Sequence, residues 1–310
     1  MSKRDFLSID DVEPDELVAL LDGADRYKAD RRPRGILGGR TVALVFEKPS
    51  TRTRVSFEVA VHELGGYPLP LTGAELQLGR GETLEDTAAV LSRYVHAIVL
   101  RTFAQESLER LARGGSIPVV NALSDYAHPC QALADLQTIR EAKGRLAGIR
   151  LAYLGDGNNV AHSLLFAGAK MGMHVAVATP VGYEPIPQVV RRATEIAAQT
   201  GGSVELTHDP ATAAKNADVL YTDVWASMGQ EMEHGERALI FKAYQLSTDT
   251  VMAAAPDATV LHCLPAHRGE EIAAEVMDGP HSAVFDQAEN RLHTQKALLS
   301  WLLTGSADPS

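Results

Sequence analysis

Cysteine is scarce: the 310 residues hold only two, Cys130 and Cys263. Two thiols cannot build a disulfide framework or a four-thiolate zinc site. They read as reduced thiols of a cytosolic enzyme or as small buried apolar side chains. Positive charge is also in deficit. Lys and Arg number 29 against 40 Asp and Glu, a formal net charge of −11. That balance argues against a nucleic-acid backbone or an anionic membrane surface as the main partner. It leaves a small anionic ligand open, because a pocket needs only local positive charge. No apolar run is long enough to span a bilayer. The opening segment MSKRDFLSIDDVEPDELVALL turns acidic where a secretory signal would need an apolar stretch. Solenoid-period repeats and low-complexity tracts are missing too. The basic run Arg31-Arg32-Pro33-Arg34-Gly35 reads as a solvated loop. The expectation is a cytoplasmic protein with no nucleic-acid or membrane partner.

What is present is a globular composition, 45% apolar and 22% charged, at a length suited to two domains. Short apolar runs at 41–46, 95–100, 117–121, 149–154, 174–178, 204–207, 219–222 and 259–262 read as strands buried on both faces of parallel sheets. Amphipathic segments at 53–64, 131–143, 160–171, 187–199 and 288–303 read as intervening helices. The alternation predicts an α/β fold of two domains, each a parallel sheet flanked by helices. The polar, glycine-bearing stretch 141–148 is the expected hinge. The expected domains are therefore 1–143 and 148–285.

Parallel sheets bind ligands at the carboxyl ends of their strands, so chemistry is sought just after each run. After 41–46 stands Ser50-Thr51-Arg52-Thr53-Arg54, leading into a helix. Hydroxyls, arginines and a helix N-terminus can together hold a phosphate, although a capped helix with exposed arginines would read the same way. Arg101 follows the second run and is either a third cation for such an anion or a surface residue. His128-Pro129-Cys130-Gln131 follows the third. There His128 can donate to a developing oxyanion or move a proton, and Gln131 can bind an amide-like group. A turn histidine is the plainer alternative.

In the second half, Leu154-Gly155-Asp156-Gly157-Asn158-Asn159-Val160 imitates a dinucleotide fingerprint. It fails because Val160 takes the third glycine position and the next strand, 174–178, runs into Thr179-Pro180 without the ribose-binding acid. The paired asparagines serve another ligand or cap the helix. Asp223-Val224-Trp225-Ala226-Ser227-Met228-Gly229 places a carboxylate at a strand end, suited to an ammonium group, or to capping a turn. His262-Cys263-Leu264-Pro265 tempts a zinc assignment, but no complementary ligand pair at suitable spacing accompanies it.

These segments, with Phe285-Asp286-Gln287-Ala288-Glu289-Asn290-Arg291, come in an order that resembles the transcarbamylases, the aspartate/ornithine carbamoyltransferase family, over nearly the whole chain. The resemblance is closer to the ornithine branch. An aspartate-specific relative needs cations in the second domain, whereas this chain offers Asp223, Ser227-Met228-Gly229 and Cys263. The intact Ser-Met-Gly favours an α-amino-acid head over putrescine.

The resemblance implies transfer of a carbamoyl group from carbamoyl phosphate to the side-chain amine of L-ornithine, giving L-citrulline and phosphate, with no metal or organic cofactor. It implies that Ser50, Thr51, Arg52, Thr53, Gln77, Arg101, His128, Pro129, Cys130, Gln131, Cys263, Leu264 and Arg291 contact carbamoyl phosphate, with Arg52, Arg101, His128 and Cys263 catalytic. It assigns Asn159, Asp223, Ser227 and Met228 to ornithine. It further implies that the C-terminal helix, about 286–310, returns to complete the first domain, that the cleft closes on its substrates, and that the chain forms a homotrimer in which Gln77 reaches a neighbouring site. A ligand-binding regulator without turnover is the alternative from another class.

Overall fold

The computed structural model describes residues 3–73, 81–226 and 234–308. The chain divides into two compact units, Met1–Gln137 with Glu289–Ser310, and Thr138–Ala288. The dividing points fall inside two helices, Pro129–Lys143 and Val284–Thr304.

In the first unit four parallel strands, β1 (Thr41–Phe46), β2 (Tyr67–Thr72), β3 (Ala97–Arg101) and β4 (Val119–Leu123), lie in the order β2-β1-β3-β4. Helices α1 (Pro14–Ala29), α2 (Thr51–Glu63), α3 (Leu84–Leu91), α4 (Gln105–Gly114) and the start of α5 (Pro129–Lys143) accompany the sheet. α1 starts with Pro14 at its first turn, where the missing N–H costs nothing. It buries Leu17, Leu20, Leu21, Ala24 and Tyr27, an i, i+3, i+4 stripe. Ala43, Val45, Ile98, Leu100, Leu108 and Val119 belong to a fully buried cluster beneath α3 and α4.

The second unit holds β5 (Arg150–Leu154), β6 (His174–Ala178), β7 (Ser203–Thr207), β8 (Val219–Thr222) and β9 (Thr259–His262), parallel in the order β7-β6-β5-β8-β9. Its helices are α6 (Asn159–Lys170), α7 (Pro187–Thr200), α8 (Pro210–Ala214), α9 (His234–Phe241), α10 (Thr248–Ala253) and α11 (Ala274–Met277). Then α12 (Val284–Thr304) carries the chain back to the first unit. The order reverses at β5, between β6 and β8. Ligand crevices open at such a point, outside the carboxyl ends of the strands.

The two parallel sheets flanked by helices, and the returning C-terminal helix, agree with the expected fold. Of the described strands, β2 has no counterpart in the sequence reading. Its sequence, YPLPLT, carries two prolines that speak against a strand. The Tyr67 amide donates to Arg40 O and the Gly73 amide to Phe46 O, so the odd positions of β2 face β1. Pro68 and Pro70 therefore turn their missing N–H groups to the free edge of the sheet, where no partner strand needs them. The basic run is tied down: Arg32 and Arg34 pair with Asp30, and Arg31 pairs with Glu63.

The false fingerprint has a packing origin. A Cβ on Gly157 would lie 2.3 Å from Pro185 N and 2.5 Å from Tyr183 O, so the glycine admits the 183–185 backbone rather than a pyrophosphate. Asp156 is bound by Arg237.

Candidate functional site

The first unit gathers polar side chains at the carboxyl ends of its strands. The β3–β4 register shifts between Leu100 and Arg101, re-aiming the last side chain of β3. Arg101 is buried there. His128 closes the turn before α5, its carbonyl accepting the amides of Gln131 and Ala132. From the returning helix, Arg291 donates through Nη1 to Gln131 Oε1 (2.7 Å) and through Nη2 to Thr53 Oγ1 (2.8 Å). Gln131 in turn donates to Asp135 Oδ1 at 2.8 Å.

Five of the expected carbamoyl-phosphate residues, Thr53, Arg101, His128, Gln131 and Arg291, thus form one buried group. Two arginines held away from water beside neutral donors make an anion site.

Burial, and then the charges of Arg291 and Arg101, push the His128 imidazole well below the ordinary histidine range. It stays neutral at physiological pH, so it is available as a hydrogen-bond donor rather than as a cation. The unfolded chain binds this proton below about pH 6.5 while the folded chain does not, so folded-state stability falls as pH drops below that value. Imidazole ¹⁵N shifts followed from about pH 8 to about pH 5.5 should show His128 unprotonated throughout. A midpoint near pH 6.5 would mean that the site is wetter and less cationic than described.

Other expected residues lie less centrally. Ser50 is the N-cap of α2 by backbone geometry, but its hydroxyl makes no cap hydrogen bond. Thr51 and Arg52 are exposed, and Arg54 pairs along the helix with Glu58 at 2.7 Å. An open hollow of about 580 Å³ is lined by Lys48, Ser50, Arg54 and Phe103. Lys48 there is buried, bonds Asp125 at 2.6 Å and stacks over the Phe103 ring.

Pro129 begins α5 and is buried. Cys130 is buried too, its thiol donating to Asn121 O at 3.4 Å, and burial pushes its pKa up to about 12. A thiol held neutral in this way is inert. Alkylation of the native protein should therefore label Cys263, which is half-buried, and spare Cys130 until the chain is unfolded. Peptide mapping reads this out, and native labelling of Cys130 would contradict the burial. Gln77, Ser227 and Met228 lie outside the described residues.

In the second unit the central group is Asp223, buried at the end of β8. Its Oδ1 accepts from the Val224 amide (2.8 Å) and from the Cys263 thiol (3.0 Å), and its Oδ2 from Asn158 Nδ2 (3.0 Å). All three partners are neutral, so they orient the carboxylate without cancelling its charge. A carboxylate oriented in this way can hold a small cation. Of the paired asparagines, Asn158 is the one that caps the helix. Its Oδ1 caps α6, accepting from Val160 and Ala161, while its amide reaches Asp223. Asn159 is the first residue of α6 and half-buried. The sequence offers either asparagine as a cap before an expected helix at 160–171; the helix begins one residue earlier, which makes Asn158 the cap.

Asp223, His262 and Cys263 bring possible metal-ligand atoms within 4.8 Å of one another. Their polar atoms are already engaged in internal hydrogen bonds. Cys263 donates to Asp223, and His262 is bonded at both ring nitrogens, by the Leu264 amide and by Glu271. Among the described residues no helix is long and apolar enough to cross a membrane.

Comparison with known proteins gives a family match for each half of the chain. Residues 4–141 match the family description "Aspartate/ornithine carbamoyltransferase, carbamoyl-P binding domain", and residues 147–302 match "Aspartate/ornithine carbamoyltransferase, Asp/Orn binding domain". An ornithine carbamoyltransferase of Parafrankia sp. is 66% identical over 307 residues, 98% of this chain and 97% of that protein. One from Pyrococcus furiosus, named anabolic, is 54% identical over 308 residues, 98% of each. Among solved structures, the P. furiosus ornithine carbamoyltransferase superposes with a TM-score of 0.94 at 54% identity, covering 98% of both chains. The Gloeobacter violaceus ornithine carbamoyltransferase does so with 0.88 at 51%, covering 98% of this chain and all of that one.

Proposed function

Because the chain belongs to the aspartate/ornithine carbamoyltransferase family, we propose that it transfers the carbamoyl group of carbamoyl phosphate to the side-chain amine of L-ornithine, giving L-citrulline and phosphate. The observation that carries this reading is the buried group in which Arg291 holds both Thr53 and Gln131 beside Arg101 and a neutral His128. It offers cations for a phosphate and neutral donors for a carbamoyl oxygen in one place. Asp223 with its neutral donors supports a diamino acid as the second substrate, since a dicarboxylic acid would be repelled there.

In the proposed reaction, carbamoyl phosphate binds first against Ser50, Thr51, Arg52, Thr53, Arg101 and Arg291. Ornithine's α-ammonium is bound by Asp223, with Asn159, Ser227 and Met228 completing that end. Its distal amine is mostly protonated in water at neutral pH and must lose that proton to attack. The amine nitrogen then adds to the carbamoyl carbon. Arg101, His128 and Thr53 donate to the oxygen as it becomes tetrahedral, and Gln131 holds the carbamoyl amide. The bond from carbon to the bridging oxygen breaks, and phosphate leaves carrying both bonding electrons, neutralised by the arginines. The nitrogen's remaining surplus proton passes to the departing phosphate; Cys263 could take it only as a thiolate, and its thiol here keeps its proton and donates it to Asp223. Holding two substrates in register supplies much of the acceleration.

We further assign Pro129, Cys130 and Leu264 to the walls of the site. We place the enzyme in the cytoplasm, in the biosynthetic direction toward arginine, as a homotrimer in which Gln77 serves a neighbouring copy.

The test is to incubate the purified protein with carbamoyl phosphate and ornithine, aspartate or putrescine in parallel, following the ureido product. Citrulline should form with ornithine alone and be lost in Arg52→Ala. Turnover only with aspartate or putrescine would reassign the second substrate, and no turnover would favour a binding protein. Sedimentation equilibrium at three times the chain mass checks the trimer.

A further inference from the structure

His262 belongs to a motif that flagged the site, yet the proposed reaction gives it no part. It ends β9 fully buried, beside an equally buried Glu271. The Leu264 backbone N–H donates to His262 Nδ1 at 2.9 Å. With Nδ1 accepting, the ring proton lies on Nε2, which donates to Glu271 Oε1 at 3.1 Å. The same carboxylate oxygen accepts the His267 amide. Glu271 therefore fastens both ends of the turn that runs from Cys263 to Ala266.

That turn needs fastening. Leu264 has φ +59°, in the left-handed region that a leucine adopts only under constraint. The bond from its own amide to His262 holds it there. The backbone of His262 is fixed in turn, its N–H donating to Gln287 Oε1 at 2.9 Å, while the Gln287 amide donates to Tyr221 Oη at 3.1 Å. Cys263, between His262 and Leu264, then lies with its thiol 3.0 Å from Asp223 Oδ1.

We propose that His262 and Glu271 are positioning residues that set the Cys263–Leu264 backbone and thereby govern affinity for the amine substrate. The identity of that substrate rests on the function proposed above; the geometry of the turn does not.

Two histidine replacements separate the two ring bonds. His262→Asn puts an amide oxygen near the Nδ1 position and keeps an acceptor for Leu264. His262→Gln reaches toward Glu271 but leaves the Leu264 amide without its acceptor. His262→Gln should raise the ornithine KM by about tenfold or more, and His262→Asn by no more than about threefold, with the KM for carbamoyl phosphate, whose expected contacts lie mostly outside this turn, rising by a smaller factor in each. A purely structural pair would raise both KM values by the same factor or move only the melting temperature, and either pattern overturns the proposal.

The wild-type protein supplies a check that needs no variant. Its His262 imidazole ¹⁵N shifts should report the Nε2–H tautomer, and an Nδ1–H tautomer overturns the arrangement even if every variant misfolds. Absence of wild-type turnover with ornithine would count against the functional reading instead, and the tautomer would still decide the geometry.

Discussion

Arg101→Met should lower kcat/KM for carbamoyl phosphate by about 10²–10³-fold, the loss that follows removal of one preorganised donor to a developing oxyanion. The variant should fold, because methionine fills a comparable volume at the buried end of β3 and is itself uncharged. Two losses combine in it. The phosphate forfeits a charge-assisted contact in the ground state, and the carbonyl oxygen forfeits a donor as it gains charge. KM should therefore rise while kcat falls. Arg101→Lys should recover little, since a point charge cannot replace a planar fork that reaches two oxygens.

A second reading in the same variant ties the effect to geometry. The Arg101 charge is one of the causes that hold His128 below the ordinary histidine range. Removing a neighbouring cation favours the protonated imidazole, so the His128 pKa should move upward in Arg101→Met. Burial is the larger cause, so it should remain below the value of a free histidine. Steady-state kinetics and the imidazole titration together check this. A kcat/KM within about threefold of wild type would remove Arg101 from the proposed transition state.

How much of this was legible in the sequence differs by element. The strands with unbroken β-branched runs, such as TVALVF and VLYT, were readable because burial on both faces demands that composition. β2 was not, because its prolines are tolerated only through an edge position that no local pattern reveals. Arg291 shows the same limit from the site's side. Nothing near it in sequence says that its guanidinium will bind Thr53, 238 positions away, and Gln131, 160 away. Only the resemblance to a family pointed there. Asp223 was readable as a carboxylate at a strand end, but its partners were not. Asn158 lies at the end of a different strand and Cys263 beyond a third, and only the β5-β8-β9 neighbourhood of the sheet makes them adjacent. His262 was noticed as a possible metal ligand. Its bonds to Leu264 and Glu271 depend on a turn that returns the chain to β9, so its holding role was invisible.

Asp223→Asn should cut kcat/KM for ornithine by about 10²-fold, near 3 kcal/mol, the scale of a lost hydrogen bond to a charged group in a desolvated site. The substitution preserves volume and removes only the charge and one acceptor oxygen. In the parent chain the carboxylate takes the Val224 amide and the Cys263 thiol on one oxygen and the Asn158 amide on the other. An asparagine must turn its NH₂ toward one of these sides, where it meets a donor. Turning it toward Asn158 keeps the Cys263 contact and is the orientation expected.

Stability should fall only modestly, because relief of the carboxylate's desolvation offsets the new donor-to-donor contact, and the partners of Asp223 among the described residues are neutral. The melting temperature should stay within about 4 °C of wild type. That combination, a large loss of activity with little change in folding, is what a group maintained for ligand binding shows. Carbamoyl-phosphate binding, measured by calorimetry without ornithine, should be unaffected, since Asp223 and the Arg101–Arg291 group belong to different units of the chain. Should ornithine kinetics survive while carbamoyl-phosphate binding weakens, the two substrates would have to be reassigned between the units. If both collapse together with the melting temperature, Asp223 is a fold residue, and the ammonium of the second substrate must be held elsewhere.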